Sequence, residues 1–266
     1  MPIQGLGWTF DKAAAQYDQY RPAYPPELFH DLQAYHPHDH TSRALEIGIG
    51  TGQATAPVLA SGCHVTAIEP GSRLAAIVRA KFPTDRLEVR NAAFEDHHEE
   101  EGEYDLVYSA SAFHWIPEAV GYPKVYRCLK PGGAFARFAS HPYYLFEGQE
   151  PLWEDIQRCY QRHMPEKLNA GKAKAAQRYD EQAAMRRSAL AEHYGFTDIA
   201  TRTYECEFRY SNEEYVHRLG IESDKIAMEE AARQRLLTEI RAVIDGYGGY
   251  ITVRDMVDLN LARKPY

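Results

Sequence analysis

Three glycines alternate with other residues in the segment "GIGTG", at Gly48, Gly50 and Gly52, directly after the apolar run "RALEI". Glycine has no Cβ atom, so this turn permits positive φ angles and a close approach of a ligand to the main chain. Glu69 ends the next apolar run, "CHVTAIE", about 20 residues further along, where a carboxylate can accept both hydroxyls of a ribose. Together these features predict a binding site for a cofactor with an adenosine-type ribose.

The spacing of the glycines separates the known kinds of nucleotide turn. A nicotinamide or flavin dinucleotide site requires a third glycine or an alanine at the end of G-x-G-x-x-G/A. That position falls on Gln53 when the count starts at Gly48, and on Thr55 when it starts at Gly50. The phosphate loop G-x-x-x-x-G-K-[ST] is absent from the sequence as well. The pattern that remains, Glu46-x-Gly48-x-Gly50-x-Gly52, disfavours an NAD-dependent oxidoreductase.

The segments around the turn alternate between strand-like and helix-like patterns. We predict strands in "ALEIGI", "CHVTAIE", "RLEVRNA", "YDLVYSAS" and "AFARFAS", and helices in "PELFHDLQAY", "TGQATAPVLASG", "GSRLAAIVRAKF" and "PEAVGYPKVYRCLK". Ser72 is the predicted N-cap of the third of these helices. Alternating strands and helices are typical of βαβ units and a parallel sheet, in which ligands bind at the carboxyl ends of the strands.

The pattern changes after Pro151. Two long helical stretches precede the strand-like segment "GFTDIATRTYECEFRYS", a further helical segment ends at "YGGY", and "ITVRDMVDLNLARK" is a long final strand. We interpret residues 211–247 as a helical insertion that caps one end of the sheet, rather than as a separate domain.

Composition excludes several classes of function. The chain has 266 residues and a formal net charge of −8, without a Lys/Arg-rich run, whereas a surface for nucleic acid is normally basic. The four cysteines form no C-x-x-C pair, so we expect reduced thiols in a cytoplasmic protein rather than a zinc site or a disulfide framework. No segment resembles a signal peptide or a membrane span. We therefore expect no nucleic-acid partner and no membrane partner.

Two other polar runs are predicted to be solvated loops. "HPHDHTS" contains alternating histidines, but no carboxylate cluster adjoins them to complete a metal site, so we expect no metal. "EDHHEEEGE" lies between the third and fourth predicted strands and consists mostly of charged residues.

Several motifs resemble, in order, those of class I S-adenosylmethionine-dependent methyltransferases of the small-molecule, type 11 kind. They are "LEIGIGTGQAT" followed by Glu69, "FEDHHEEEGEYDLVYSASAFHWI", "VYRCLKPGGAFARF" and, at the start of the chain, "FDKAAAQYDQYRPAYPPELF". The resemblance implies an α/β fold: a Rossmann-like, seven-stranded, mostly parallel sheet with an antiparallel last strand, helices on both faces and a helical cap insertion. It covers most of the chain and is weak between Leu145 and Asp245.

The resemblance also implies a domain organisation. Residues 1–266 form one methyltransferase domain, in which residues 1–40 are an N-terminal helical arm or lid. Residues 41–145 form the cofactor-binding core, and residues 211–247 form the cap.

The same resemblance implies S-adenosylmethionine as the cofactor and a set of residues around it. Glu46 would face the amino group of the donor, Glu69 the ribose, and Ala93 and Phe94 the adenine. The family often has an aspartate where Ala92 stands, so the contact to the adenine amino group falls to Glu95 or to water. The full implied set is Tyr17, Arg21, Glu46, Gly48, Gly50, Gly52, Gln53, Glu69, Pro70, Ala93, Phe94, Ser109, Ala110 and His114.

Two histidines are candidates for acid–base chemistry, because imidazole titrates near neutral pH. His114 follows the fourth predicted strand and His141 ends the fifth. Either is also open to a purely structural interpretation. Aromatic residues near them fit a small, partly apolar acceptor, and the candidate acceptor-binding residues are Tyr20, Trp115, His141 and Tyr144.

The sequence narrows the reaction without identifying the acceptor. "SASAFHW" stands where enzymes that methylate base amino groups have an Asn/Asp-Pro-Pro-Tyr motif, which argues against DNA or RNA as substrate. We expect methyl transfer to O, N or C of a small molecule by in-line displacement, in a monomer or homodimer. The alternative is a non-catalytic S-adenosylmethionine-binding sensor or assembly module, because binding and catalysis are separate properties.

Overall fold

Seven strands form the centre of the molecule. The computed structural model describes Asp11, Asp18 and residues 22–98, 101–143, 148–164 and 179–266. The strands are β1 (Arg43–Ile47), β2 (His64–Ile68), β3 (Leu87–Arg90), β4 (Tyr104–Ala110), β5 (Leu129–Tyr143), β6 (Thr197–Ser211) and β7 (Tyr250–Arg263).

The strands form one sheet in the order β3-β2-β1-β4-β5-β7-β6. All pairs from β3 to β5 are parallel, and β7 runs antiparallel to both of its neighbours. The predicted seven-stranded, mostly parallel sheet with an antiparallel last strand is therefore confirmed. Strand order reverses between β1 and β4, which is the position where open α/β sheets bind ligands.

Helices cover both faces of the sheet. They are α1 (Pro26–Tyr35), α2 (Thr55–Ala60), α3 (Ser72–Lys81), α4 (Glu118–Cys128), α5 (Glu150–His163), α6 (Glu181–Ala189), α7 (Asn212–Gly220), α8 (Ser223–Ile226) and α9 (Glu230–Gly246). Apolar residues of α1 and α2 pack into one buried cluster with the sheet. Residues of α4 form a second buried cluster with other sheet residues, including Phe135.

A third buried cluster lies apart from the two sheet faces. It joins α5, α7 and α9 to Ile251 and Val253 at the start of β7. The helices α7 to α9 connect the carboxyl end of β6 to the amino end of β7. Because β6 runs parallel to β5, this helical segment lies at the same edge of the sheet as the carboxyl ends of β1 and β4.

Two local predictions differ from the structure. The fifth strand is longer than "AFARFAS", because β5 continues to Tyr143 while pairing with β7 as far as Arg254. Ser72 is not the N-cap of α3. Gly71 occupies that position, and it has no side chain that could accept hydrogen bonds from the first turn of the helix. Instead Asp11 Oδ1 accepts hydrogen bonds from the backbone N–H groups of Arg73 (2.7 Å) and Leu74 (3.0 Å).

Two features are absent from the described part of the chain. None of its helices has the length and apolar character needed to cross a bilayer. Nor do its histidine, cysteine and carboxylate side chains gather in any group of three or more that could hold a metal ion.

The cap of α3 generates a prediction with an internal control. Asp11→Ala removes the acceptor for two helix N–H groups, so the free energy of unfolding should fall by about 1 kcal/mol. Ser72→Ala should change it by less than ~0.5 kcal/mol, as expected for a surface substitution. Urea denaturation of both variants measures the difference, and a larger loss in Ser72→Ala would contradict the observed cap.

Candidate functional site

The glycine turn after β1 requires its glycines for two physical reasons. Gly48, Gly50 and Gly52 have φ angles of 71°, 59° and 82°, a region that other L-residues rarely adopt. A Cβ atom on Gly48 would lie 2.4 Å from Cβ of Ala112, the second residue after β4. The turn therefore packs tightly against the chain that leaves β4. Gln53, at its end, donates a hydrogen bond from Nε2 to Thr51 Oγ1 over 2.7 Å.

Glu69 joins this turn to the end of β2. Its side chain is buried (5% exposed), and Oε2 accepts from the N–H of Gly50 at 2.9 Å while Oε1 accepts from the N–H of Gly71 at 2.8 Å. Asn91, which sequence reasoning missed, donates from Nδ2 to the carbonyls of Glu69 (2.7 Å) and Pro70 (3.0 Å). Glu69, the residue predicted to bind the ribose, is thus held between two turns at the carboxyl edge of the sheet.

Glu46 lies beneath the same turn, in β1, and is fully buried. Its Oε2 accepts hydrogen bonds from Thr55 Oγ1 (2.7 Å) and from the hydroxyl of Tyr108 (2.8 Å). Its Oε1 is buried and has no hydrogen-bond partner among the described residues. Thr55 and Tyr108 were not predicted, because nothing in their local sequence marks them as partners of a carboxylate.

Burial raises the pKa values of both carboxyl groups, Glu46 and Glu69. Burial raises the pKa of Glu46 to about 7, against the opposing hydrogen bonds from Thr55 and Tyr108. Burial likewise raises the pKa of Glu69 to about 7. Within the described part of the chain neither carboxylate has a Lys or Arg partner. A buried charge needs a partner, so this pair is suited to a ligand that carries a cation and hydroxyl groups.

The turn after β3 contains Ala93 and Phe94, the predicted adenine contacts. Phe94 is buried (3% exposed), and the carbonyl of Ala93 accepts from two N–H groups further along the same turn. The ammonium of Lys124, on α4, donates to the carbonyls of Phe94 and His97 and lies 4.8 Å from the centroid of the Phe94 ring. Lys124 therefore holds this turn in one shape, a role that no sequence motif indicated.

The end of β4 is strained. Ser109 is buried and donates from Oγ to the carbonyl of Ile47 over 2.9 Å, so its hydroxyl fastens β4 to β1, whereas Ala110 is half-buried. Ser111 has a φ of 54°, an unfavourable conformation for a residue with a side chain. Its Oγ lies 2.8 Å from the hydroxyl of Tyr24. Such strain is often found at active sites.

His114 and Trp115 lie in a 3₁₀ turn, Phe113–Trp115, after β4. His114 is exposed, Trp115 is half-buried, and their ring centroids are 4.8 Å apart. Phe113 is buried and anchors the turn.

His141 lies in the part of β5 that extends beyond the end of β4. Its Nε2 is 3.2 Å from Asp258 Oδ1, and its ring stacks on Tyr179 with centroids 3.6 Å apart. His141 therefore belongs to a cluster of polar side chains on β5, β7 and α6.

Four predicted site residues, Tyr17, Tyr20, Arg21 and Tyr144, lie outside the described residues. Two described residues of the N-terminal segment do contact the site region: Asp11 caps α3, and Asp18 pairs with Lys81 at 2.6 Å. Lys81 also donates to the carbonyl of Thr51 over 3.1 Å. The segment is thus linked to the glycine turn.

Comparisons with known proteins agree with this geometry. A methyltransferase domain family matches residues 45–136. An uncharacterized methyltransferase of Schizosaccharomyces pombe is 28% identical over 80% of this chain and 78% of its own length. An uncharacterized methyltransferase of Mycobacterium tuberculosis is 32% identical over 48% of this chain, and the match spans only 50% of that relative.

Solved structures share the fold. A protein described as a type II methyltransferase from Anaeromyxobacter dehalogenans superposes with a TM-score of 0.65 at 22% identity, over 93% of this chain and 100% of its own. A phosphoethanolamine N-methyltransferase from Haemonchus contortus, solved with S-adenosyl-L-methionine, has a TM-score of 0.55 at 18% identity, over 96% of this chain and 57% of its own.

The sheet order, with its antiparallel seventh strand, defines the class I methyltransferase fold. Together with the domain match over residues 45–136 and the methyltransferase relatives, this fold supports a class I S-adenosylmethionine-dependent methyltransferase.

Buried Glu46 makes stability depend on pH. Its folded pKa lies near 7, above its usual value of 4.5, so wild-type protein loses stability as pH rises from about 4.5, where the unfolded carboxyl group ionises, to about 7, where the folded group ionises as well. Glu46→Gln cannot ionise. Its stability relative to wild type should therefore increase between about pH 5 and pH 8, on the order of 2 kcal/mol. Denaturation of the ligand-free protein at several pH values measures this change.

The exposed Glu101 provides the control. Glu101→Gln should follow the wild-type stability profile at every pH. A Glu46→Gln profile that also runs parallel to wild type would show that Glu46 is ionised throughout this range.

Proposed function

We propose that the protein transfers a methyl group from S-adenosylmethionine to O, N or C of a small-molecule acceptor, by in-line displacement in a covered pocket. The observation that carries this proposal is the buried Glu46, whose Oε1 has no hydrogen-bond partner and which has no Lys or Arg partner among the described residues. The amino group of the donor is a cation of the kind this carboxylate lacks, and a charge-assisted hydrogen bond between them is favourable.

The surrounding residues fit the rest of the donor. Glu69 accepts from two backbone N–H groups, and its carboxylate has further lone pairs for the two ribose hydroxyls. The Gly48–Gly52 turn gives the main chain a close approach to the ligand. The turn at Ala93 and Phe94, held by Lys124, is the proposed adenine contact. Gln53, Pro70, Ser109 and Ala110 adjoin these groups in sequence, and with Tyr17, Arg21 and His114 they complete the proposed cofactor set.

The donor supplies an activated methyl group on a sulfonium, so the main task of the chain is to bind and orient the acceptor. Orientation alone can contribute roughly 7–11 kcal/mol toward the barrier. We propose that the N-terminal arm (residues 1–40) and the cap (residues 211–247) exclude water from the pocket. The links from Asp11 to α3 and from Asp18 to Lys81 support this position of the arm.

His114 is the proposed base, which removes a proton from the methyl acceptor when the attacking atom carries one. Its exposed position on the turn after β4 supports this role. His141 is the proposed acceptor-side partner across the same edge, where its ring is fixed by Tyr179. Trp115, Tyr20 and Tyr144 complete the proposed acceptor-binding set.

Removal of the ribose ligand tests donor binding. Glu69→Ala loses the acceptor for the ribose hydroxyls, so its affinity for S-adenosylhomocysteine should fall by about 100-fold, the loss of a pair of charge-assisted hydrogen bonds. Isothermal titration calorimetry measures the affinity, and circular dichroism verifies that the fold is retained.

Asp96→Ala is a matched control, because Asp96 is an exposed acid near the same edge. It should change the affinity by less than about threefold. Equal losses in the two variants would place the ribose elsewhere.

His114→Ala separates binding from turnover. The variant should lose far less affinity for S-adenosylhomocysteine than turnover, because the donor keeps its other contacts, and turnover should fall by about 10²-fold or more if the acceptor must lose a proton. Release of S-adenosylhomocysteine over a metabolite panel provides the assay. Turnover at the wild-type rate would give His114 a structural role, whereas donor binding without turnover of any acceptor by wild-type protein would favour the sensor alternative.

A further inference from the structure

The polar cluster around His141 is organised by Asp258 of β7. Asp258 is fully buried, and its carboxylate accepts from the N–H of Ala139 (3.0 Å), Tyr179 Oη (2.7 Å), Asn260 Nδ2 (2.7 Å) and Arg187 Nη1 (2.8 Å). Burial by itself raises the pKa of Asp258, but its hydrogen bonds and Arg187 hold that pKa well below its usual range. Asp258 is therefore a permanent anion that fixes the side chains around it.

Arg187 of α6 uses only part of its guanidinium in this cluster. Its hydrogen bonds to Asp258 and its 3.0 Å contact with His141 Nε2 involve Nη1, and the guanidinium also bonds the hydroxyl of Tyr179. The side chain retains 15% exposure. Nε and Nη2, the two nitrogens that together bind planar oxyanions, are not used in the contacts with Asp258 and His141.

Arg137 of β5 adds a second cation without a counter-ion. It is 93% buried, as its exposed fraction is 7%. Its Nη1 donates to the hydroxyl of Tyr122, and its Nε is buried without a hydrogen-bond partner among the described residues. No carboxylate of the described chain lies within ion-pair distance of it. Burial and the nearby charge of Arg187 lower the pKa of Arg137, whereas the charge of Asp258, which pairs with Arg187, raises it.

Arg137, Arg187 and Asn260 line one small cavity of about 10 Å³. A cavity of this size holds about one water molecule. Such a water can accept from Arg137 Nε and donate to Asn260 Oδ1, which is also buried and unpaired among the described residues. A carboxylate or phosphate group is larger than this cavity, so an anion of that kind would bind on the exposed side of Arg187.

From this arrangement we propose that Arg187, fixed by Asp258 and backed by the charge of Arg137, binds an oxyanion of the methyl acceptor. The acceptor class is a small molecule that carries a carboxylate or a phosphate. This inference rests on the proposed function, because it assigns Arg187 to the acceptor side of that site.

The position of the cluster supports its assignment to the acceptor. The guanidinium of Arg137 lies 5.2 Å from the centroid of Phe113, which anchors the turn that carries His114. Arg137 also pairs in register with Ser109, near the end of β4. The anion site is therefore next to the strand end where methyl transfer is proposed.

Selenate tests the anion site without knowledge of the acceptor. Crystals of the full chain with S-adenosylhomocysteine and selenate should show an anomalous peak within hydrogen-bond distance of Arg187 Nε or Nη2. Arg187→Lys keeps a cation beside Asp258 but loses the planar pair of donors, so the peak should disappear. Arg186→Lys, at an exposed position on the same helix, should retain it. The absence of the peak in wild type, or its persistence in Arg187→Lys, overturns the inference.

A panel of carboxylates and phosphomonoesters, each with its neutral amide or alcohol counterpart, distinguishes the two sources of the oxyanion. For the acceptor that reacts, Arg187→Lys should raise KM by about tenfold, with kcat and affinity for S-adenosylhomocysteine unchanged. Equal turnover of a neutral counterpart contradicts the assignment. If S-adenosylhomocysteine does not bind, the proposed function is contradicted. The anion site at Arg187 is tested separately, because the selenate peak is judged without reference to donor affinity.

Discussion

The site depends on two buried carboxyl groups, Glu46 and Glu69, that have no Lys or Arg partner in the part of the chain that the structure describes. Burial of a charge in a protein interior is costly unless it is paired, and here the pKa of each group is raised to about 7. The fold accommodates them through hydrogen bonds from Thr55, Tyr108 and two backbone N–H groups. An arrangement that leaves one buried oxygen unpaired is explained by a ligand that supplies the missing cation.

The sheet topology brings these groups together. Reversal of strand order between β1 and β4 opens a crevice at the carboxyl edge, and the turn at Gly48 fits there only without a side chain. Asn91 and Lys124 hold the neighbouring turns by hydrogen bonds to backbone carbonyls. The proposed acceptor side is built from other elements, β5, β7 and α6 around Asp258.

Much of the donor side was predictable, because the features that define it are local in sequence. The "GIGTG" turn and Glu69 are both visible as breaks between apolar runs, and the alternation of strands and helices determined the sheet. The cap of α3 was not predictable from the local sequence. Asp11, which accepts a hydrogen bond from the N–H of Arg73, lies 62 positions earlier in the chain, whereas Ser72 is a residue type that N-cap positions favour. Arg187 and Asp258, 71 positions apart, likewise meet only through the fold, and no motif indicates their pairing.

The most direct test of the central claim is to count the protons exchanged when the donor binds. Near pH 7 the free protein holds Glu46 and Glu69 partly protonated, and a bound cation and ribose favour their ionised forms. Calorimetric titration of S-adenosylhomocysteine in buffers of different ionisation enthalpy should therefore show a net release approaching about one proton, with less in Glu46→Gln. Binding with no proton release would contradict the account.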